Sequence, residues 1–138
     1  MKTLELDLYG SVGDPAGIDP AKVVALLRGA PDAKTIVVRL NSAGGNAFDG
    51  IAIMNALKDH PARVTVKVDG LAASAAALIT LAGNTVEIGE SAFMMLHRTS
   101  AAAFGNGTDL RELAAMMAKV DGELVSTIAK RCRKPVET

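Results

Sequence analysis

The sequence is poor in cysteine and in aromatic residues: it has one Cys and no Trp, and Phe, Tyr and Trp together make up 3% of its 138 residues. A lone Cys132 excludes a disulfide within the chain and fits a reducing compartment; on a helix face, between Arg131 and Arg133, it reads as a structural thiol. The scarcity of aromatics removes the stacking platforms that single-strand nucleic-acid binders use. Net charge is absent as well. Fifteen basic and fifteen acidic residues cancel, so no overall field draws the chain to nucleic acid or to an anionic membrane. The longest apolar run, residues 71–82, contains Ser74 and Thr80 and falls well short of the ~20 residues that span a bilayer. The opening MKTLELDLYG threads charges between leucines and lacks the apolar stretch of a signal peptide. A cytoplasmic protein is expected, with neither nucleic acid nor membrane as partner.

What is present is a core-forming composition, 49% apolar, in a chain long enough for one domain. TLELDLYG alternates as a half-buried strand, and KTIVVRL, RVTVKVDG, NTVEIG and SAFMML read as further strands. A helix is expected from Asp19 as N-cap and Pro20 at its first position to near Gly29. A second follows the glycine-rich NSAGGNAFDG and stops before Pro61, leaving His60 at the surface. A third, small-residue helix covers residues 74–82 and is closed by Gly83. The longest runs over residues 108–131, with Leu110, Leu113, Ala114, Met117, Val120, Leu124 and Ile128 on one stripe. Thr108 is read as its cap, with Asp109 and Glu112 as first-turn acids. Alternating strands and helices predict an α/β fold with a largely parallel sheet.

In such a sheet the loops leaving the carboxyl ends of the strands share one edge. Gly44 and Gly45 follow Leu40, Ser74 follows the strand ending near Val68, and His97 follows Leu96. A glycine loop, a serine at a helix start and a histidine thus converge, which is the raw material of nucleophilic catalysis. Histidine is the usual base for a serine hydroxyl, and the tetrahedral intermediate needs two N–H donors. Ala75 at a helix start and the Cβ-less Gly45 offer them. Each piece has a plainer reading: Ser74 as a helix N-cap, His97 as a structural histidine, NSAGG as a turn or an anion-binding loop. The loop is neither a Walker A sequence nor GxGxxG, and the serine lies in AASAA rather than GxSxG.

Three segments in order, VRLNSAGGNAFDGIAIMNAL, VDGLAASAAALITLAG and SAFMMLH, resemble the ClpP family of serine peptidases. GNGTDLREL is similar to the branch encoded beside tailed-phage capsid genes, thought to act in head maturation. The resemblance runs from about Thr35 to Arg131. It implies a ClpP/crotonase-like spiral of ββα units with a mostly parallel sheet and a protruding handle helix. By it Ser74 is the nucleophile, His97 the general base, and Gly45 and Ala75 the oxyanion-hole donors of a serine endopeptidase. An extended peptide substrate is expected to pair with backbone near Gly44, Gly45, Asn46 and Ala47 and near Thr99 to Ala102. The resemblance implies no cofactor and no metal. It implies a homo-oligomeric ring joined through the handle, residues 108–131, with an ATPase or a capsid protein as further partners.

Two departures qualify the resemblance. Ala75 stands where the wider family commonly has methionine, a side-chain change at a backbone donor. The family's third triad residue, an aspartate, lies beyond the handle, and no aspartate in 1–138 matches it; Asp69, Asp109 and Asp121 fall in other motifs. RCRKPVET is read as the start of the segment leading to that acid, so a single, truncated peptidase domain is expected. The rival readings are an acyl-CoA hydratase or isomerase of the same fold, a serine–lysine peptidase of the signal-peptide-peptidase type, and a non-proteolytic ring or scaffold subunit.

Overall fold

The computed structural model describes residues 2–133, so the last five residues of RCRKPVET lie outside the described part. The chain divides into two compact units, Met1–Leu96 and His97–Thr138.

The first unit is built on β1 (Thr3–Tyr9), β2 (Thr35–Ser42), β3 (Arg63–Ala73) and β4 (Thr85–Ile88), side by side in that order and all parallel. A short β5 (Phe93–Met95) also pairs parallel with β3, opposite Leu71–Ala73, whereas β4 takes Thr65–Val68. The period of two decides the faces. Ile36, Val38 and Leu40 of β2 and Val64, Val66 and Val68 of β3 are almost wholly buried, in register with Leu6 and Leu8 of β1. Burial of each such side chain contributes about 1.5–3 kcal/mol. The alternate residues form a polar face on which Asp7, Arg39, Lys67 and Glu87 make one row across four strands. Lys67 pairs there with Glu87 at 3.2 Å.

The crossovers are α1 (Pro20–Arg28), α2 (Ala47–Asp59) and α3 (Ala75–Thr80). Asp19 caps α1 as expected, its Oδ1 accepting the Ala21 N–H at 2.9 Å. α1 buries Val23 and Leu27, α2 buries Ile53, Met54 and Leu57, and every residue of α3 is buried. His60 is not simply a surface residue. Its Nδ1 accepts the Ala62 N–H and its Nε2 meets the Ala30 carbonyl oxygen, both at 3.1 Å, so a proton on Nε2 satisfies both contacts.

β3 departs from its sequence reading, because the strand continues past Gly70 to Ala73. Leu40 faces Val68 and Ser42 faces Ala72, so Asp69, Gly70 and Leu71 stand opposite Asn41 alone. This bulge survives because the Asn41 side chain replaces the missing ladder partner, its Oδ1 accepting the Leu71 N–H at 3.1 Å. A polar D-G-L sequence looks like a loop until that amide is placed. α3 is correspondingly shorter than expected and ends at Thr80.

In the second unit, residues 97–106 form neither helix nor strand and lead into α4 (Gly107–Cys132). The cap is Asn106, not Thr108: Asn106 Oδ1 accepts the N–H groups of Thr108 and Asp109 at 2.9 and 3.0 Å, which puts Thr108 inside the first turn. Leu113, Met117, Val120, Leu124 and Ile128 are half-buried along the expected stripe, but Leu110 and Ala114 are exposed and α4 buries no residue fully. Cys132, at its end, is exposed.

Candidate active site

Ser74 joins β3 to α3 with φ 56° and ψ −125°, a conformation that a residue with a Cβ rarely adopts. Holding it costs about 1–3 kcal/mol, which the surrounding structure must offset. Its side chain makes no capping hydrogen bond to α3, so the plain N-cap reading fails. A strained strand-to-helix turn of this kind is the conformation associated with nucleophile elbows. Alanines take the part that glycines play in GxSxG: Ala72 and Ala76 are fully buried and add almost no bulk beside the turn. The turn is pinned from β5 as well, the Ser74 N–H donating to the Met95 carbonyl at 2.9 Å.

Gly44 and Gly45 lie against this serine. With φ +100° and buried, Gly44 approaches so closely that a Cβ there would stand 2.8 Å from Ser74 Cβ and 2.7 Å from the Ala73 carbonyl oxygen. Its N–H donates to the buried Ser42 hydroxyl at 3.0 Å, a local turn that swings the loop across the strand ends. Gly45 is exposed, with φ +151°. Neither the Gly45 N–H nor the Ala75 N–H has an acceptor among the described residues. The first unit thus places a strained serine, its neighbour Ala75, and a glycine loop together, with two N–H groups unspent.

Of the other residues singled out in the sequence, Asn46, His97 and Thr99 have hydrogen-bond partners of their own. Asn46 caps α2, accepting the Asp49 N–H at 3.1 Å, and its own N–H donates to the Val12 carbonyl at 2.9 Å. Ala47 is the first residue of α2. His97 opens the second unit, exposed, with Nδ1 2.6 Å from the Arg98 carbonyl oxygen. A carbonyl only accepts, so Nδ1 is the donor there, and in the neutral ring Nε2 offers its lone pair. Thr99 gives both its N–H and its hydroxyl to Asp121 Oδ1, at 2.9 and 2.8 Å. Those bonds, the N–H first, hold the Asp121 carboxyl below its usual range, with Arg98 adding to the effect. No cluster of three or more His, Cys, Asp or Glu placed to hold a metal occurs among the described residues, and no described helix is long and apolar enough to cross a membrane.

Several supporting residues escaped sequence reasoning. Asp69, in the bulge, accepts the Tyr9 hydroxyl at 2.6 Å and the Arg39 guanidinium at 2.6 and 3.0 Å. The phenol first and then the guanidinium hold its carboxyl below the ordinary range; the same bond keeps the Tyr9 phenol protonated to higher pH. Gly50, buried on α2, lets that helix pass the start of α3: a Cβ there would come within 2.7 Å of the Ala75 carbonyl oxygen. A glycine inside a helical pattern was the available signal.

A parallel α/β sheet whose strand ends deliver an elbow serine beside unspent N–H groups has the make-up of a hydrolase-type site. The family comparison is specific. A family model for Clp protease matches residues 5–138, and the chain belongs to that family. It is 29% identical over 133 residues to the ATP-dependent Clp protease proteolytic subunit 3 of Rhodococcus jostii, covering 94% of this chain and 65% of that one. Over 136 residues it is 26% identical to the ATP-dependent Clp protease proteolytic subunit of Pleurastrum terricola, covering 95% and 68%. The chain thus spans about two thirds of the length of these relatives. A ClpP1 mutant from Listeria monocytogenes superposes with a TM-score of 0.81 at 20% identity, over 97% of this chain and 74% of that one. That superposition establishes the ClpP-like fold.

Proposed function

We propose that this chain is the nucleophile-bearing part of a Clp-type serine endopeptidase subunit. Ser74 Oγ attacks the scissile carbonyl while His97 Nε2 takes its proton. The N–H groups of Gly45 and Ala75 stabilise the oxyanion, and the acyl-enzyme on Ser74 is then hydrolysed by water. The observation that carries this reading is the Ser74 backbone: strain at a strand-to-helix turn, with no capping bond to explain it. The His97 tautomer supports it. With Nδ1 donating to the Arg98 carbonyl, the neutral ring has its lone pair on Nε2, which is the tautomer a general base requires. No metal or cofactor has a part in this chemistry.

The substrate is an extended polypeptide that adds as a strand beside Gly45 to Ala47 and the irregular segment from Thr99, where specificity comes from pockets for alternate side chains. The ring-forming surface is α4, whose exposed Leu110, Met116 and Val125 lie alongside its half-buried stripe. A role in phage head maturation, with a capsid or ATPase partner in the cytoplasm, is the finer form of this reading, carried by GNGTDLREL. A fluorophosphonate probe tests the core of it. The full chain is expected to label at Ser74, and the Ser74→Ala variant to remain unlabelled. Equal labelling of the two overturns the assignment to Ser74, and no labelling of either in the assembled protein overturns it in favour of the hydratase or scaffold alternatives.

A further inference from the structure

The loop between β1 and α1 holds the glycine loop by a backbone clasp. The Val12 N–H donates to the Gly44 carbonyl and the Asn46 N–H to the Val12 carbonyl, both at 2.9 Å, a parallel bridge of Val12 with Gly45. Val12 and Ile18 are buried, at 3% and 1% exposure, and bridge each other. The Gly13 N–H bonds to the Ile18 carbonyl and the Ile18 N–H to the Ser11 carbonyl, each at 2.9 Å, so the loop closes on itself and is a rigid anchor. The clasp leaves no room for a side chain at Gly45, where a Cβ would collide with the Val12 carbonyl oxygen.

A trans peptide unit points its C=O and N–H in opposite directions, and no described peptide is cis. The Val12 N–H fixes the Gly44 carbonyl toward Val12, so the Gly45 N–H of the same peptide unit is turned away from it. Glycines on both sides of that unit would otherwise let it flip easily. We propose that Val12 is a positioning residue whose backbone N–H locks the Gly44–Gly45 peptide with its donor outward, setting one half of the oxyanion hole. This deepens, and rests on, the reading of Ser74 as nucleophile.

Replacing residue 12 by its α-hydroxy acid, through ligation of a synthetic N-terminal segment to the rest of the full chain, deletes this one N–H and keeps the side chain. An ester at residue 13, which removes the Gly13 bond to Ile18 and weakens the Val12 carbonyl as acceptor for Asn46 but leaves the Val12 N–H in place, is the control. Loss of one oxyanion donor typically lowers turnover by about 100-fold or more. With p-nitrophenyl butyrate as probe, the residue-12 ester is expected to lose about that much kcat with KM unchanged. The residue-13 ester should stay near wild type. A merely structural loop would instead lower the melting temperature of both esters and leave kcat per folded molecule intact. A folded residue-12 ester with kcat near that of the residue-13 control overturns the proposal, while an inactive Ser74→Ala leaves the serine assignment standing. If Ser74→Ala turns over the ester like wild type, the serine reading fails and this inference with it.

Discussion

α3 and α4 are the two extremes of helix formation in this chain. α3 has six residues, all buried, while α4 has twenty-six and buries none fully. Isolated helices shorter than about 12–15 residues are marginal in water, so α3 exists because the sheet and α2 enclose it. α4 has what a helix can supply locally: an Asn106 cap, Asp109 in the first turn, Lys130 and Arg131 in the last, and Arg133 in a left-handed closing turn. A helix held by its surroundings can be aimed by them, and α3 begins at the candidate nucleophile. A helix that holds itself leaves its surface open for contacts with other chains.

The largest effect should come from hollowing the enclosure. Ile79→Ala, at a side chain with no exposure, is expected to cost about 2–5 kcal/mol in urea unfolding. Val125→Ala on α4, exposed by 45%, should cost less than about 0.5 kcal/mol; equal costs would erase the contrast. Gly50→Ala forces α2 and the Ala75 carbonyl apart and should cost about 1–3 kcal/mol. It should also slow fluorophosphonate labelling of the variant that remains folded, since the Ala75 N–H moves with its backbone. Unchanged labelling would show that the glycine contact does not aim the site.

Asn106→Ala should weaken α4 by about 1 kcal/mol, read as faster amide exchange in its first turn with α3 unaffected. The pH effect is smaller. The folded pKa of Asp69 lies below its unfolded value, so its stabilising contribution is present above the unfolded value and lost as pH falls through the folded one. Stability of the first unit should therefore drop in acid, and Asp69→Asn should flatten that slope. A steeper slope in the variant would contradict the assignment. Met116→Glu, at a 47% exposed position, should change folding stability by no more than about 0.5 kcal/mol. If α4 is the ring surface, light scattering should nevertheless show a shift to smaller assemblies; an unchanged mass would remove Met116 from that surface.

The strands, the α1 cap at Asp19 and the α4 stripe were legible because each is written in neighbouring residues. So was the convergence of Gly44, Gly45 and Ser74, since parallel strands place their carboxyl-end loops on one edge. The bulge in β3 was not legible, because it depends on an amide thirty residues away: Asn41 satisfying Leu71. The α4 cap was misplaced by two residues because Thr108 and Asn106 are both capping types, and only the direction of the chain entering the helix decides between them.

Local patterning of residues carries the period of every long element, the parallel α/β class, the family, and which residues have the chemistry of a nucleophile, a base and a close-approach loop. It takes the folded chain to make Ser74 a strained turn without a side-chain cap bond, to set the Val12 N–H on the Gly44 carbonyl, and to bring Gly50 against the start of α3. The reason lies in the range of the forces. Hydrophobic periodicity and rotamer preference act within a few residues of chain. A left-handed backbone angle at a residue with a Cβ is tolerated only when contacts from distant segments over-determine it, and those contacts exist only once the sheet has formed.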